Sequence, residues 1–98
     1  MRIKVHPGEV LREEFMHPHN LSANALAMRL RVPTTRIGAI IHERRSITAD
    51  TAIRLSHLFG TTPEFWLNLQ TQHDLSVMMQ KIGDEVKRDV CAVTPFDC

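Results

Sequence analysis

The 98-residue sequence predicts an all-α fold, a bundle of five helices. Three observations carry that expectation. Apolar residues recur at i, i+3 and i+4 in one segment after another, good capping residues precede those segments, and no stretch alternates apolar with polar residues as a half-buried strand does. Only "IKV", near the N-terminus, is a candidate for an edge strand.

The first helix is read from "PGEVLREEF". Pro7 suits a first helical turn, Glu9 favours the positive end of the helix dipole, and Leu11 and Phe15 share a face with Val10 beside them. "HPHN" ends it, because Pro18 has no N–H and pushes His17 away from helical geometry. Ser22 is a good cap for the second helix. Leu21 and Leu26 flank that cap as a hydrophobic staple, and Leu26, Ala27 and Leu30 form the buried stripe before Pro33 stops the chain. The third helix starts near Thr34, whose hydroxyl is expected to help satisfy the open N–H groups, and turns Ile37, Ile40 and Ile41 inward. After the loop "HERRS", Thr48 caps a fourth helix with Asp50 in its first turn. Ala52, Leu55, Leu58 and Phe59 face the core, and Gly60 takes the left-handed position beyond the helix end. Thr62 and Pro63 restart the chain into a fifth helix through Phe65, Trp66 and Leu69. Its periodicity continues through Leu75, Met78, Met79 and Ile82, and Gly83 is expected to end it. Residues 1–82 therefore form one domain with a C-terminal dimerisation helix, and 83–98 a loosely held tail.

The hydrophobic fraction of 43% is ordinary for a globular chain. No apolar run approaches the roughly 20 residues that span a bilayer, and the N-terminus lacks the apolar stretch of a signal peptide, so a cytoplasmic protein with no membrane association is expected. Cys91 and Cys98 lie near the C-terminus, outside the expected core, and are read as free thiols. Charge is unevenly divided. Residues 1–58 carry nine Lys/Arg against five Asp/Glu, whereas 59–98 carry three against six. A basic patch of Arg29, Arg31, Arg36, Arg44, Arg45 and Arg54 fits a polyanionic partner or a solvated face equally well.

Six histidines invite a metal or catalytic reading. His17 and His19 flank a proline rather than sharing a helix face, and the others are scattered, so surface or half-buried histidines explain the set without a metal site. There is no Gly-rich phosphate loop and no nucleophile motif. Neither a cofactor nor an enzymatic activity is expected.

The informative stretch is "SANALAMRLRVPTTRIGAIIH". A helix-turn-helix needs a small residue where its two helices cross, supplied by Ala27, and apolar anchors on the second helix, supplied by Ile37 and Ile40. It also needs short polar or cationic side chains where the second helix meets base edges, and Thr34, Thr35 and Arg36 occupy that start, with Ala39 one turn on. Helix starts at Ser22 and Thr48 offer N–H groups to phosphates, and Arg44 and Arg45 can grip the backbone. The stripe Leu75, Met78, Met79 and Ile82 extends beyond what a compact core requires. It either meets a second copy or packs back on the first helix; the first is expected, giving a homodimer that reads a pseudo-palindromic operator in double-stranded DNA.

With those residues in place, the chain resembles the HigA-type antitoxins, also called the virulence-associated protein I group, within the Cro/C1-type (XRE) helix-turn-helix regulators. The resemblance rests on "HPGEVLREEF", on the helix-turn-helix, and on "ITADTAIRLSHLFGTTPEFWLNLQ" with its following "HDL", and covers about residues 5–80. It implies a five-helix bundle of the lambda-repressor-like DNA-binding type, usually dimeric, with the helix-turn-helix in its second and third helices. It also implies repression of the protein's own operon and neutralisation of a HigB-type toxin, an RNase of the RelE class. Glu13 and Glu14, with Arg12 beside them, are the candidate toxin-facing surface. A stand-alone regulator or interaction module without a toxin is the alternative. The sequence departs from the group's pattern at Arg31, where a glycine is usual, at Ala23, where Gln is frequent, and at Gly38 and Ala39, where larger polar groups are common.

Overall fold

The computed structural model describes residues 4–93. Helix α1 (Pro7–Val10) continues into a wider π-helical segment, Leu11–Met16, and is followed by α2 (Ala23–Leu30), α3 (Thr34–Ile41), α4 (Ala49–Phe59) and α5 (Pro63–Asp89). No strand occurs among the described residues. The edge strand considered for "IKV" lies partly outside them.

The caps act as their residue types predict. The Ser22 hydroxyl accepts from the Ala25 N–H, the Thr48 hydroxyl from Thr51 and the Thr62 hydroxyl from Phe65. Gly60 closes α4 at φ 72°, a conformation that costs glycine nothing. At α1 the cap is an unexpected one: Nδ1 of the buried His6 accepts from the Gly8 N–H at 2.8 Å. Gly8 itself is required by contact. A Cβ there would lie 1.9 Å from the Ile40 carbonyl oxygen, so α1 meets the backbone of α3 with nothing between. The Arg12 guanidinium donates to the Ile41 carbonyl, closing the same junction.

Leu11, Leu26, Ile37, Ile40, Leu55 and Trp66 are fully buried and define the core. Ala27, 1% exposed, sits at the small-residue position that the α2–α3 crossing needs. The Phe15 ring centroid lies 5.0 Å from those of both Phe59 and Trp66, and the Trp66 indole N–H donates to the Thr61 hydroxyl at 2.8 Å. Leu58 and Phe59, expected to face the core squarely, are only partly buried against it.

Three expectations need correction. Thr34 does not cap α3; Pro33 holds the cap position without a side-chain bond, and the Thr34 hydroxyl donates to Asn24 Oδ1 at 3.0 Å instead. Gly83 does not end α5, which runs on to Asp89, so the first part of the expected tail is helical. One glycine costs about 1 kcal/mol in a helix, and a long cooperative helix absorbs that. Cys91 is disulfide-bonded rather than a free thiol, and Cys98 lies outside the described residues.

At 27 residues, α5 is about 40 Å long. Only its first half packs on the other helices. The rest projects, giving principal extents of 57 × 21 × 20 Å and a radius of gyration of 17.3 Å, where about 13 Å would suit a compact chain of this length.

Candidate nucleic-acid interface

Helices α2 and α3 pack on one another with a three-residue turn between them, Arg31 to Pro33. The turn works through Arg31, held left-handed at φ 61° and ψ 45°, with its N–H directed at the carbonyls of Ala27 and Met28. The glycine usual at this place would adopt that geometry freely. Arginine adopts it under strain, because its Cβ crowds the following carbonyl.

The start of α3 presents Thr34 and Thr35 to solvent, while Ile37, Ile40 and Ile41 anchor the opposite face. Ala39 is half-buried, and the space around Gly38 is open to 4 Å, so the middle of the exposed face carries no long side chain. Arg44 and Arg45 are exposed on the loop after α3 and make no ion pair among the described residues. Ser22 and Thr48 are exposed at the starts of α2 and α4. Each satisfies one first-turn N–H and leaves its helix start open.

Arg36 is placed differently from the expectation of a free reading group. Its Nη1 donates to Asp50 Oδ2 at 2.7 Å, which ties the start of α3 to the first turn of α4. Asp50 also accepts from Arg54 at 3.1 Å, and Arg54 in turn donates to the Leu30 carbonyl at 2.8 Å, closing the C-terminal end of α2. The hydrogen bond from Arg36, and then that from Arg54, holds the Asp50 carboxyl below the usual carboxylate range. The network binds all three helix ends around the turn. Asp50 was recognisable in the sequence as a first-turn acid, but its bond to a residue fourteen positions away had no local signal.

Farther along α5, Leu75, Met78, Met79 and Ile82 are 59%, 47%, 51% and 37% exposed, and with Val86 they line an open cleft of about 750 Å³. The alternative packing of this stripe on α1 does not occur. Among the described residues, no helix is long and apolar enough to cross a membrane, and no group of three His, Cys, Asp or Glu is arranged to hold a metal ion.

A helix-turn-helix family model matches residues 11–66. Over 92 residues the chain is 46% identical to virulence-associated protein I of Dichelobacter nodosus, covering 94% of this chain and 81% of that protein. An addiction module antidote protein of the HigA family from Coxiella burnetii superposes with a TM-score of 0.86 at 48% identity, covering 97% of this chain and all of that one. The chain belongs to the HigA-type helix-turn-helix family. The structure of antitoxin GraA in complex with its operator also matches this HigA-type chain, with a TM-score of 0.90 at 49% identity, over 96% of this chain and 94% of that one. The match extends over nearly the whole chain, so the projecting α5 is shared with this relative and is no local peculiarity.

Proposed function

We propose that this protein is a sequence-specific DNA-binding antitoxin that represses its own operon as a homodimer and neutralises a HigB-type, mRNA-cleaving toxin in the cytoplasm. The observation that carries the DNA-binding part is the α2–α3 unit. It is locked by buried anchors on one side and exposes Thr34 and Thr35 on the other, with two exposed arginines immediately after α3. A relative that aligns over nearly the whole chain is an antitoxin in complex with its operator, which supports the same role here.

In this reading Thr34 and Thr35 meet base edges, or thymine methyls, at the leading end of α3, and the short Ala39 lets the helix seat deeply in the major groove. Ser22 and Thr48 bring their helix starts to phosphates, and Arg44 and Arg45 supply salt-dependent affinity. Arg36 reaches a base only by yielding its bond to Asp50, which gives its substitution a diagnostic value. With few long side chains on the reading face, part of the specificity rests on DNA shape. The exposed stripe of Leu75, Met78, Met79 and Ile82 pairs with its copy across a two-fold axis. A symmetric patch of that kind matches the symmetry of a palindromic site.

The test is a competition shift assay on DNA upstream of the gene. Arg36→Ala is expected to cost about 1–3 kcal/mol on the cognate site and to relax base preference there. Arg44→Ala and Arg45→Ala are expected to weaken cognate and random DNA alike and to flatten the salt dependence. An unchanged base preference in Arg36→Ala would assign that residue to the Asp50 clamp alone.

A further inference from the structure

We infer that Gln70, on α5, is the positioning residue that holds the Arg44–Arg45 loop in register for DNA. The inference rests on the reading of that loop as a phosphate grip. Gln70 is 6% exposed, an unusual site for an amide, and both ends of its side chain are engaged. Its Oε1 accepts from the Ile47 N–H at 2.8 Å, and its Nε2 donates to Asp74 Oδ1 at 2.9 Å. The two bonds fix which way the amide faces, since a backbone N–H needs the oxygen and a carboxylate needs the nitrogen.

The geometry of the loop shows why this bond matters. Its first end is closed onto α3, with the Glu43 N–H donating to the Ile40 carbonyl at 2.9 Å and the Arg44 N–H to the Ala39 carbonyl at 2.8 Å. Its last residue, Ile47, is buried and directly precedes Thr48, the cap of α4. Beneath the arginines the body falls away into a polar cleft of about 170 Å³, lined by Glu43, Ser46, His73 and Asp74 among others. The far end of the loop is therefore held by the buried Ile47 side chain and by the hydrogen bond that the Ile47 N–H donates to α5. That bond sets the backbone of Arg44 and Arg45, whereas Thr48 is held by α4, whose first turn its own hydroxyl caps. The Gln70 bond also joins the loop to the helix whose other half carries the unpartnered apolar stripe, so the spacing of the phosphate grips is referred to α5 itself.

Two variants of the full chain test the inference. Gln70→Met keeps the bulk but removes the acceptor, and Gln70→Asn keeps the amide but draws it back by one methylene. Operator affinity is measured across a salt series, with thermal unfolding alongside. Each variant is expected to weaken binding about tenfold at moderate salt and to lower the salt slope by up to about 1.8, the share of two phosphate contacts. The double variant Arg44→Ala/Arg45→Ala should show the same loss of slope, and Gln70→Met added to it should change nothing further. Thermal unfolding at each salt concentration gives the folded fraction, so the slopes compare folded protein with folded protein. Weaker binding at an unchanged slope, or a loss fully additive to that of the arginine pair, overturns the positioning role. If the arginine double variant itself keeps the parent slope, the phosphate reading of the loop fails, and this inference with it. Should Gln70→Met fold poorly, Gln70→Asn carries the same comparison.

Discussion

Arg31 and His6 show how single positions in this chain trade stability for other ends. Arg31 spends its backbone in a left-handed conformation that an L side chain resists by about 1–2 kcal/mol. Replacing it by glycine relieves that strain, while the greater freedom of glycine in the unfolded chain offsets part of the gain. Arg31→Gly is therefore expected to stabilise by about 0.5–1 kcal/mol in thermal or urea unfolding, and to lose a little non-specific DNA affinity with its cation. His6 poses a pH question. Its Nδ1 caps α1 only while neutral. Burial, and then repulsion from His73 at a ring separation of 4.9 Å, pull its pKa below the ordinary 6.5, while Glu43 and Asp74 oppose the shift. The unfolded chain accordingly takes up this proton first as pH falls. Its contribution is intact above the ordinary value and declines as pH drops through and below it. The melting temperature should fall between about pH 7.5 and about pH 5.5, and His6→Asn, which keeps a cap acceptor without titrating there, should flatten that dependence. The His6 cap was not legible because histidine is not among the preferred cap residues, although Gly8 lies only two positions on. The Arg36–Asp50 bond was hidden for another reason. Local spacing reveals which residues share a helix face, but a bond over fourteen or more positions depends on how the helices have been brought together.

At the level of elements, the sequence was most readable where structure is locally decided. The caps at Ser22, Thr48 and Thr62 and the left-handed Gly60 all stand where residue type alone placed them. The inward isoleucines of α3 follow from their periodicity in the same way. Helix ends without a strong stop signal were less so, and α5 ran past Gly83 because propagation in an established helix outweighs one weak residue. That extension bears on assembly. Val86 continues the face of Leu75, Met78, Met79 and Ile82 by one further turn, so the stripe proposed to meet a second copy is longer than the sequence suggested. Met79, at the middle of the stripe, is half-exposed, so a charge there can stay in water in the single chain and burdens the intermolecular interface. Met79→Glu is expected to yield a folded monomer by light scattering with unchanged helicity by circular dichroism. A parent protein that is monomeric at micromolar concentration would remove the basis for a two-fold operator complex.

For the whole molecule, charge and shape divide the work. The arginine-rich helices gather round the turn and the loop after α3, whereas α5 beyond the core is long, balanced in charge and apolar on one side. A protein that represses and neutralises at once needs a toxin surface that leaves the exposed face of α3 free, and the outer side of the first helix meets that condition. Its buried side is the one that meets α3, at Gly8 and Arg12 among others. The bond of Arg12 to the Ile41 carbonyl also changes the picture of this surface. Arg12 is committed inward and is no free cation for a partner, which leaves Glu13 and Glu14 exposed as a net acidic face. Glu13 is only loosely held, at 3.4 Å from Arg12 and 3.6 Å from His17, both contacts being solvent-exposed. Such rim charges act mainly on encounter, since opposite charges raise the association rate and salt screens them, while short-range packing governs release. Reversing both residues, Glu13→Lys with Glu14→Lys, is therefore expected to slow capture of a basic toxin severalfold while changing dissociation little, and to remove most of the salt dependence of the on-rate. Operator binding should be preserved, because neither residue lies on α3 or its loops. The measurement is co-expression with the neighbouring reading frame, then surface-immobilised kinetics of the purified pair at two ionic strengths. Equal on-rates for parent and reversed chains would place the toxin elsewhere on the molecule. A neighbouring product that neither inhibits growth nor co-purifies would leave a stand-alone DNA-binding regulator.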